Sequence, residues 1–167
     1  DGTLDCGILS VNGTGAVTVS NGGRIRLGSL NATDAVADNI SAAGGLTLNT
    51  GSTVEFNGLA AQFAAARTFS IAEINNINGV TLTGPVLVID VLGLTSGILT
   101  TSGANLLTMG AASSYTGGNS NASYVFGPVK KIGNTDFTFP VGKSNGYVPI
   151  RVSNFTGAST PTDEFTA

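Results

Sequence analysis

A chain of 167 residues with net charge −3, only 10% charged residues and seven Lys and Arg in all cannot build a nucleic-acid footprint or a basic membrane-surface patch. His and Trp are absent and Cys6 is the one cysteine. That removes the commonest zinc ligands, any Ser-His-Asp or Cys-His arrangement, an intrachain disulfide and the preferred aromatic platform for stacking sugars. Hydrophobic residues at 41% are joined to 24 Gly and an excess of Thr, Ser and Asn, a mixture that predicts many short strands separated by tight turns.

In chain order, the strand signals are Val17-Thr-Val19, Ile25-Arg-Leu27, Leu46-Thr-Leu48, Val54-Glu-Phe56, Phe69-Ser-Ile71 and Val80-Thr-Leu82. Each puts two apolar side chains on one face and a polar one on the other, so one face is buried and the other wet. A Gly opens several of these phrases, at Gly15, Gly23, Gly45 and Gly79. Glu, Lys, Gln and Met are too few for an amphipathic helix of three turns, and the single helix candidate is the Ala-rich run Leu59 to Ala66. The degenerate repeat predicts an all-β parallel β-helix or solenoid, with an antiparallel sandwich as the competitor. Asn57-Gly58 and Asn78-Gly79 are each flanked by irregular sequence on one side, which speaks against true hairpins.

Further along, Val86-Leu-Val-Ile89 with Val91 and Leu92 is almost continuously apolar and predicts a strand buried on both faces. Residues 1–110 are read as the solenoid, 111–123 as a low-complexity loop, and 124–167 as a C-terminal β cap or small sandwich-like module. In that last part Tyr124, Phe126, Phe137, Phe139 and Tyr147 crowd together, and Pro128, Pro140 and Pro149 interrupt strand-like runs in the manner of edge strands or bulges.

The order of phrases Leu46-Thr-Leu-Asn-Thr-Gly-Ser-Thr-Val-Glu-Phe-Asn-Gly58 with Gln62, Val80-Thr-Leu-Thr-Gly84, Leu94 to Thr101, Tyr124-Val-Phe-Gly-Pro-Val129 and Phe139-Pro-Val-Gly-Lys143 resembles repetitive secreted cell-surface proteins of Bacteroidota. The resemblance covers roughly positions 45 to 152 and implies an adhesin-like or matrix-forming β-solenoid. It supplies no catalytic residues. It also implies a secreted, extracellular or cell-surface location, and Asp1 does not begin a signal peptide, so a mature or excised chain is expected. No stretch reaches the roughly 18 apolar residues of a membrane span.

Candidate chemistry is sparse, and no catalytic, cofactor-binding or metal residue is assigned. Asp1, Asp5, Asp34, Asp38 and Asp136 form neither an EF-hand loop nor a Gly-Gly-x-Gly-x-Asp repeat and read as solvated loop carboxylates. Arg24 and Arg26 project together from one strand, either as part of a lyase face or, more simply, as solubilising or edge-protecting charges. Glu55, Glu73 and Asp90 are the candidates for a glycosidase-type carboxylate pair, and nothing in the sequence brings them together. Lys130, Lys131 and Lys143 would meet an acidic glycan or form a charged rim. Cys6 reads first as a small buried residue, with pairing between chains or a reactive thiol as the alternatives. Sequons at Asn12, Asn31, Asn39, Asn121 and Asn154 read mainly as polar surface.

The expected function is therefore a non-catalytic structural or adhesive segment of an extracellular bacterial surface protein. Its partners would be copies of itself stacked end to end into a fibre, neighbouring segments of the same protein, or glycans and other cell surfaces. The alternative is a glycan-binding or polysaccharide-lyase-type β-helix. No cofactor and no nucleic acid enter either reading.

Overall fold

The computed structural model describes residues 2–31, 33–155 and 163–167. The apolar-polar-apolar phrases become strands: β1 (Thr3–Asp5), β2 (Val17–Val19) and β3 (Arg24–Leu27). In β3 the alternation is complete, with Ile25 and Leu27 buried and Arg24 and Arg26 facing outward. A one-turn helix, α1 (Ala35–Asn39), makes a corner; the Asp34 carboxylate caps it by accepting from the Val36 N–H at 3.0 Å. Next come β4 (Leu46–Leu48), β5 (Thr53–Phe56), β6 (Gln62–Ala64), β7 (Arg67–Asn75), β8 (Val80–Leu82) and β9 (Val86–Ser96). The Ala-rich run 59–66 is not helical. Its centre is β6, with Ala64 buried in register with Leu82, where a small side chain suits the coil interior.

The chain continues as β10 (Leu99–Thr100), β11 (Leu107–Met109), β12 (Ser114–Gly117), β13 (Val125–Phe126) and β14 (Val129–Ile132). It ends with β15 (Phe137–Phe139), β16 (Val141–Lys143), β17 (Gly146–Tyr147), β18 (Ile150–Val152) and β19 (Glu164–Thr166). One sheet stacks β1, β3, β5, β7, β9, β11 and β14 in parallel; a second stacks β6, β8, β10, β13 and β16 in parallel. The protein is a parallel β-solenoid of about six turns. An antiparallel sandwich would have required hairpins where the chain instead coils forward.

Stacking in register turns each inward position into a column. Ile25, Val54, Ala72 and Leu92 form one, Leu27, Phe56, Ile74 and Leu94 the next, and Val80, Leu99, Val125 and Val141 a third across the coil. All twelve are buried, and each large aliphatic side chain so placed contributes about 1.5–3 kcal/mol. Phe56 and Phe69 meet edge to face at 6.1 Å. The interior void beside them is only about 10 Å³, so the coil is filled rather than hollow.

Two further expectations change. The apolar run from Pro85 to Leu94 is not buried on both faces, because the β7–β9 pairing shifts register between Phe69 and Ile71 and the sheet bends there. Val86 and Val88 point inward on one side of the bend and Leu92 and Leu94 on the other, leaving Leu87, Ile89 and Val91 partly exposed. The segment 111–123, expected as a loop, contains β12, which pairs with Val91–Leu94 of β9. The coil therefore runs on past residue 110, through β13, β14 and β16.

What stops it is a change of strand direction. β19 lies antiparallel on β14, β17 antiparallel on β16, and β15 pairs antiparallel with β18. Pro128, Pro140 and Pro149 each immediately precede a strand, β14, β16 and β18, where a missing N–H costs no ladder bond. The N-terminal end differs. Among the described residues β1 is paired on one side only, by β3; Leu4 is 41% exposed beside an open recess of about 570 Å³, and Ile8 and Leu9 nearby in sequence are 70% and 74% exposed.

Candidate functional site

The outward positions of β1, β3, β5 and β7 bring the charged candidates together. Asp5 stands beside Arg26, Arg26 beside Glu55, and Glu55 beside Glu73 in consecutive turns. Arg24 Nη1 donates to Glu55 Oε2 at 2.7 Å and to Glu73 Oε2 at 2.5 Å. Arg26 adds Nε to Glu55 Oε2 at 3.2 Å and Nη1 to Asp5 Oδ2 at 2.8 Å. The remaining oxygens are also satisfied: Asn75 donates to Glu55 Oε1 at 2.9 Å and Thr95 to Glu73 Oε1 at 3.0 Å.

Like carboxylates in adjacent turns would repel, and the two guanidinium groups are what make the stack tolerable. Burial pulls the Glu55 carboxyl upward, but Asn75, Arg24 and Arg26 outweigh it and hold it below the usual carboxylate range. The Arg24 guanidinium is weakened by burial and strengthened more by Glu73 and Glu55, ending above its ordinary value. A glycosidase acid needs the reverse shift, a carboxyl kept protonated near neutral pH. Arg24 and Arg26 are not edge charges either, since β1 lies outside them.

Asp90, the third carboxylate candidate, is not in this ladder. It accepts from the Ser70 hydroxyl at the sheet bend, and Ser70 Oγ in turn accepts from the Gly51 N–H at 2.6 Å. The loop carboxylates are likewise engaged in structure. Asp34 caps α1 and pairs with Arg67 at 3.2 Å, Asp38 accepts from Ser29 and Asn31, and Asp136 meets Arg151 at 3.3 Å. Among the described residues no group of three His, Cys, Asp or Glu side chains is placed to hold a metal; Asp1 lies outside those residues.

The three lysines separate. Lys130 points outward to Glu164 at 2.9 Å and Lys143 is exposed, but Lys131 occupies an inward position at 2% exposure. Its Nζ donates to the carbonyls of Gly110, Ala111 and Ile132 at 2.5, 2.7 and 3.1 Å, and lies 5.4 Å from the Phe137 ring centre. Burial lowers its pKa. Lys131 is thus no part of a charged rim; it stands in register with Met109 and ties the last corner to the core.

Sequence reading missed the buried amides that staple the corners. Gln62, fully buried, donates to the carbonyls of Leu27 and Ser29 at 2.8 and 3.1 Å and accepts from the Gly58 N–H at 2.7 Å and Asn76 at 2.9 Å. Asn39 does the same for another corner, donating to Gly7 and Leu9 carbonyls, so the asparagine of its sequon is buried. Cys6 is buried, as read, and burial foremost, then Asp5, raises its thiol pKa. Compared with known proteins, the chain matches no family model, no curated protein and no solved structure.

Proposed function

We propose that the chain is a non-catalytic structural and adhesive segment of an extracellular bacterial surface protein, a stiff β-coil that holds flanking segments apart. The observation that carries this reading is the unbroken parallel stack, bare at β1 and dressed by antiparallel strands at the far end. Such an arrangement suits a coil that receives another strand at its N-terminal end and terminates at its C-terminal end. It favours a neighbouring segment of the same surface protein over a symmetric end-to-end fibre, because the reversed strands offer no parallel edge for the next copy.

The ladder chemistry supports the non-catalytic side, with the Glu55 carboxyl held below its usual range and both glutamates shared by Arg24. The test is turnover of neutral and acidic polysaccharides, alongside electron microscopy of the concentrated protein. No turnover and no filaments are expected. Cleavage abolished by Glu55→Gln would replace this reading with a polysaccharide-cleaving one, and filaments would restore the fibre.

A further inference from the structure

The two sheets present unlike outer faces. The β3–β5–β7 face carries the charges described above, whereas the β6–β8–β10–β13 face carries none in its central outward row. That row is Phe63, Thr81, Thr100 and Phe126, each directly in register with the next. Phe63 and both threonines are partly exposed and Phe126 is 41% exposed. Beneath them the inward neighbours Gln62, Val80, Leu99 and Val125 are fully buried, so the backbone that presents the row is fixed by the core.

We infer that this row is a docking strip for an extended, neutral, β-linked polysaccharide lying along the coil axis. Strands stack about 4.8 Å apart, placing the two phenyl rings about 14 Å from one another with two hydroxyls between them. This pitch is close to the rise per residue of an extended 1,4-linked pyranose chain. A ring at each end offers an apolar face to the C–H side of a sugar, and each threonine offers a donor and an acceptor to sugar hydroxyls. The row itself carries no charge, so uronates and sulfated glycans would find no cation along it to replace their water; Lys143 lies past its end, beside Gly142. Past Phe126 the strip opens onto a recess of about 390 Å³ lined by Pro128, Val141, Lys143, Val148 and Ile150, room for the chain to continue.

The inference names a partner for the adhesive half of the proposed function and rests on that half. Its test is binding, not turnover, so the two fail separately. The protein is incubated with insoluble β-1,4-glucan and, in parallel, with immobilised polygalacturonate. Retention on the glucan alone is expected, weakened about tenfold by each of Phe63→Ala and Phe126→Ala, with melting temperature held. Thr100→Lys, which leaves both rings in place, should abolish it. No retention on the glucan, preference for polygalacturonate, or retention indifferent to all three substitutions would overturn the inference. So would a dimer dissolved by Phe126→Ala, which would assign the strip to a second copy.

Discussion

Arg24 and Glu55 are joined diagonally: the residue beside Arg24 in register is Thr53, yet its guanidinium crosses to Glu55 Oε2 at 2.7 Å. The crossing lets one arginine serve two turns, since Glu73 Oε2 lies 2.5 Å from the same nitrogen. Glu55 is the buried member, with 6% of its side chain exposed against 35% for Arg24. Arg24→Met should therefore cost about 1–3 kcal/mol, set by the buried carboxylate left with Arg26 and Asn75 rather than by the half-exposed cation. Urea unfolding of wild type and variant at neutral pH measures it.

The same ladder gives the protein an acid limb. Because the folded-state pKa of Glu55 is depressed, its contribution is complete above the ordinary carboxylate value of about 4.3 and is lost as pH falls through the lower folded value. Melting temperature followed from neutral pH downward should fall in that window. Glu55→Gln should lower the neutral-pH plateau and flatten the fall.

The fully buried Gln62 holds four polar partners. Gln62→Met keeps the volume and strands the Gly58 N–H and the Ser29 carbonyl, leaving the Leu27 carbonyl with the Asn57 N–H, at a cost of about 2–3 kcal/mol. Equilibrium unfolding reads this directly, and a loss under 1 kcal/mol would mean that water enters the corner.

Lys131→Met should destabilise by about 2–3 kcal/mol, because the carbonyls of Ala111 and Ile132 lose their donor inside the cap. A neutral or stabilising outcome would mean that the desolvation that lowers the lysine pKa outweighs its three bonds.

Gly97 sits at φ 85°, and a Cβ there would lie 1.7 Å from the Asn76 carbonyl oxygen. Gly97→Ala should therefore cost about 2–4 kcal/mol or prevent folding. Soluble yield and thermal melting distinguish this from the tolerant Gly103, where a Cβ meets nothing within 4 Å.

The coil was legible because period-two alternation survives in short phrases: Ile25-Arg-Leu27 and Val80-Thr-Leu82 need only one buried face to declare it. The bend at Ser70 was not, since a register shift within β7 moves Ile71 outward without altering the apolar pattern. Nor was the extent of the coil. Ser114-Tyr-Thr-Gly117 is a strand because β9 supplies its partner, a long-range fact that small polar residues do not advertise. The charged ladder left a usable trace. Aligning Arg24-Ile-Arg-Leu27 under Thr53-Val-Glu-Phe56 sets Arg26 on Glu55, once the two phrases are taken as successive turns. Lys131 left none, because a lysine at an inward position reads as a rim charge until the carbonyls around it are seen.

The contrast between the bare first strand and the reversed last ones also gives the molecule a direction of opening. Each turn leans only on its neighbours, so loss of structure travels turn by turn. It begins where β1 has a single partner and is blocked where β19 and β17 clamp β14 and β16. Backbone amides of β3 should exchange with solvent sooner than those of β11, a gradient along the axis that a coil tethered at its first strand would erase.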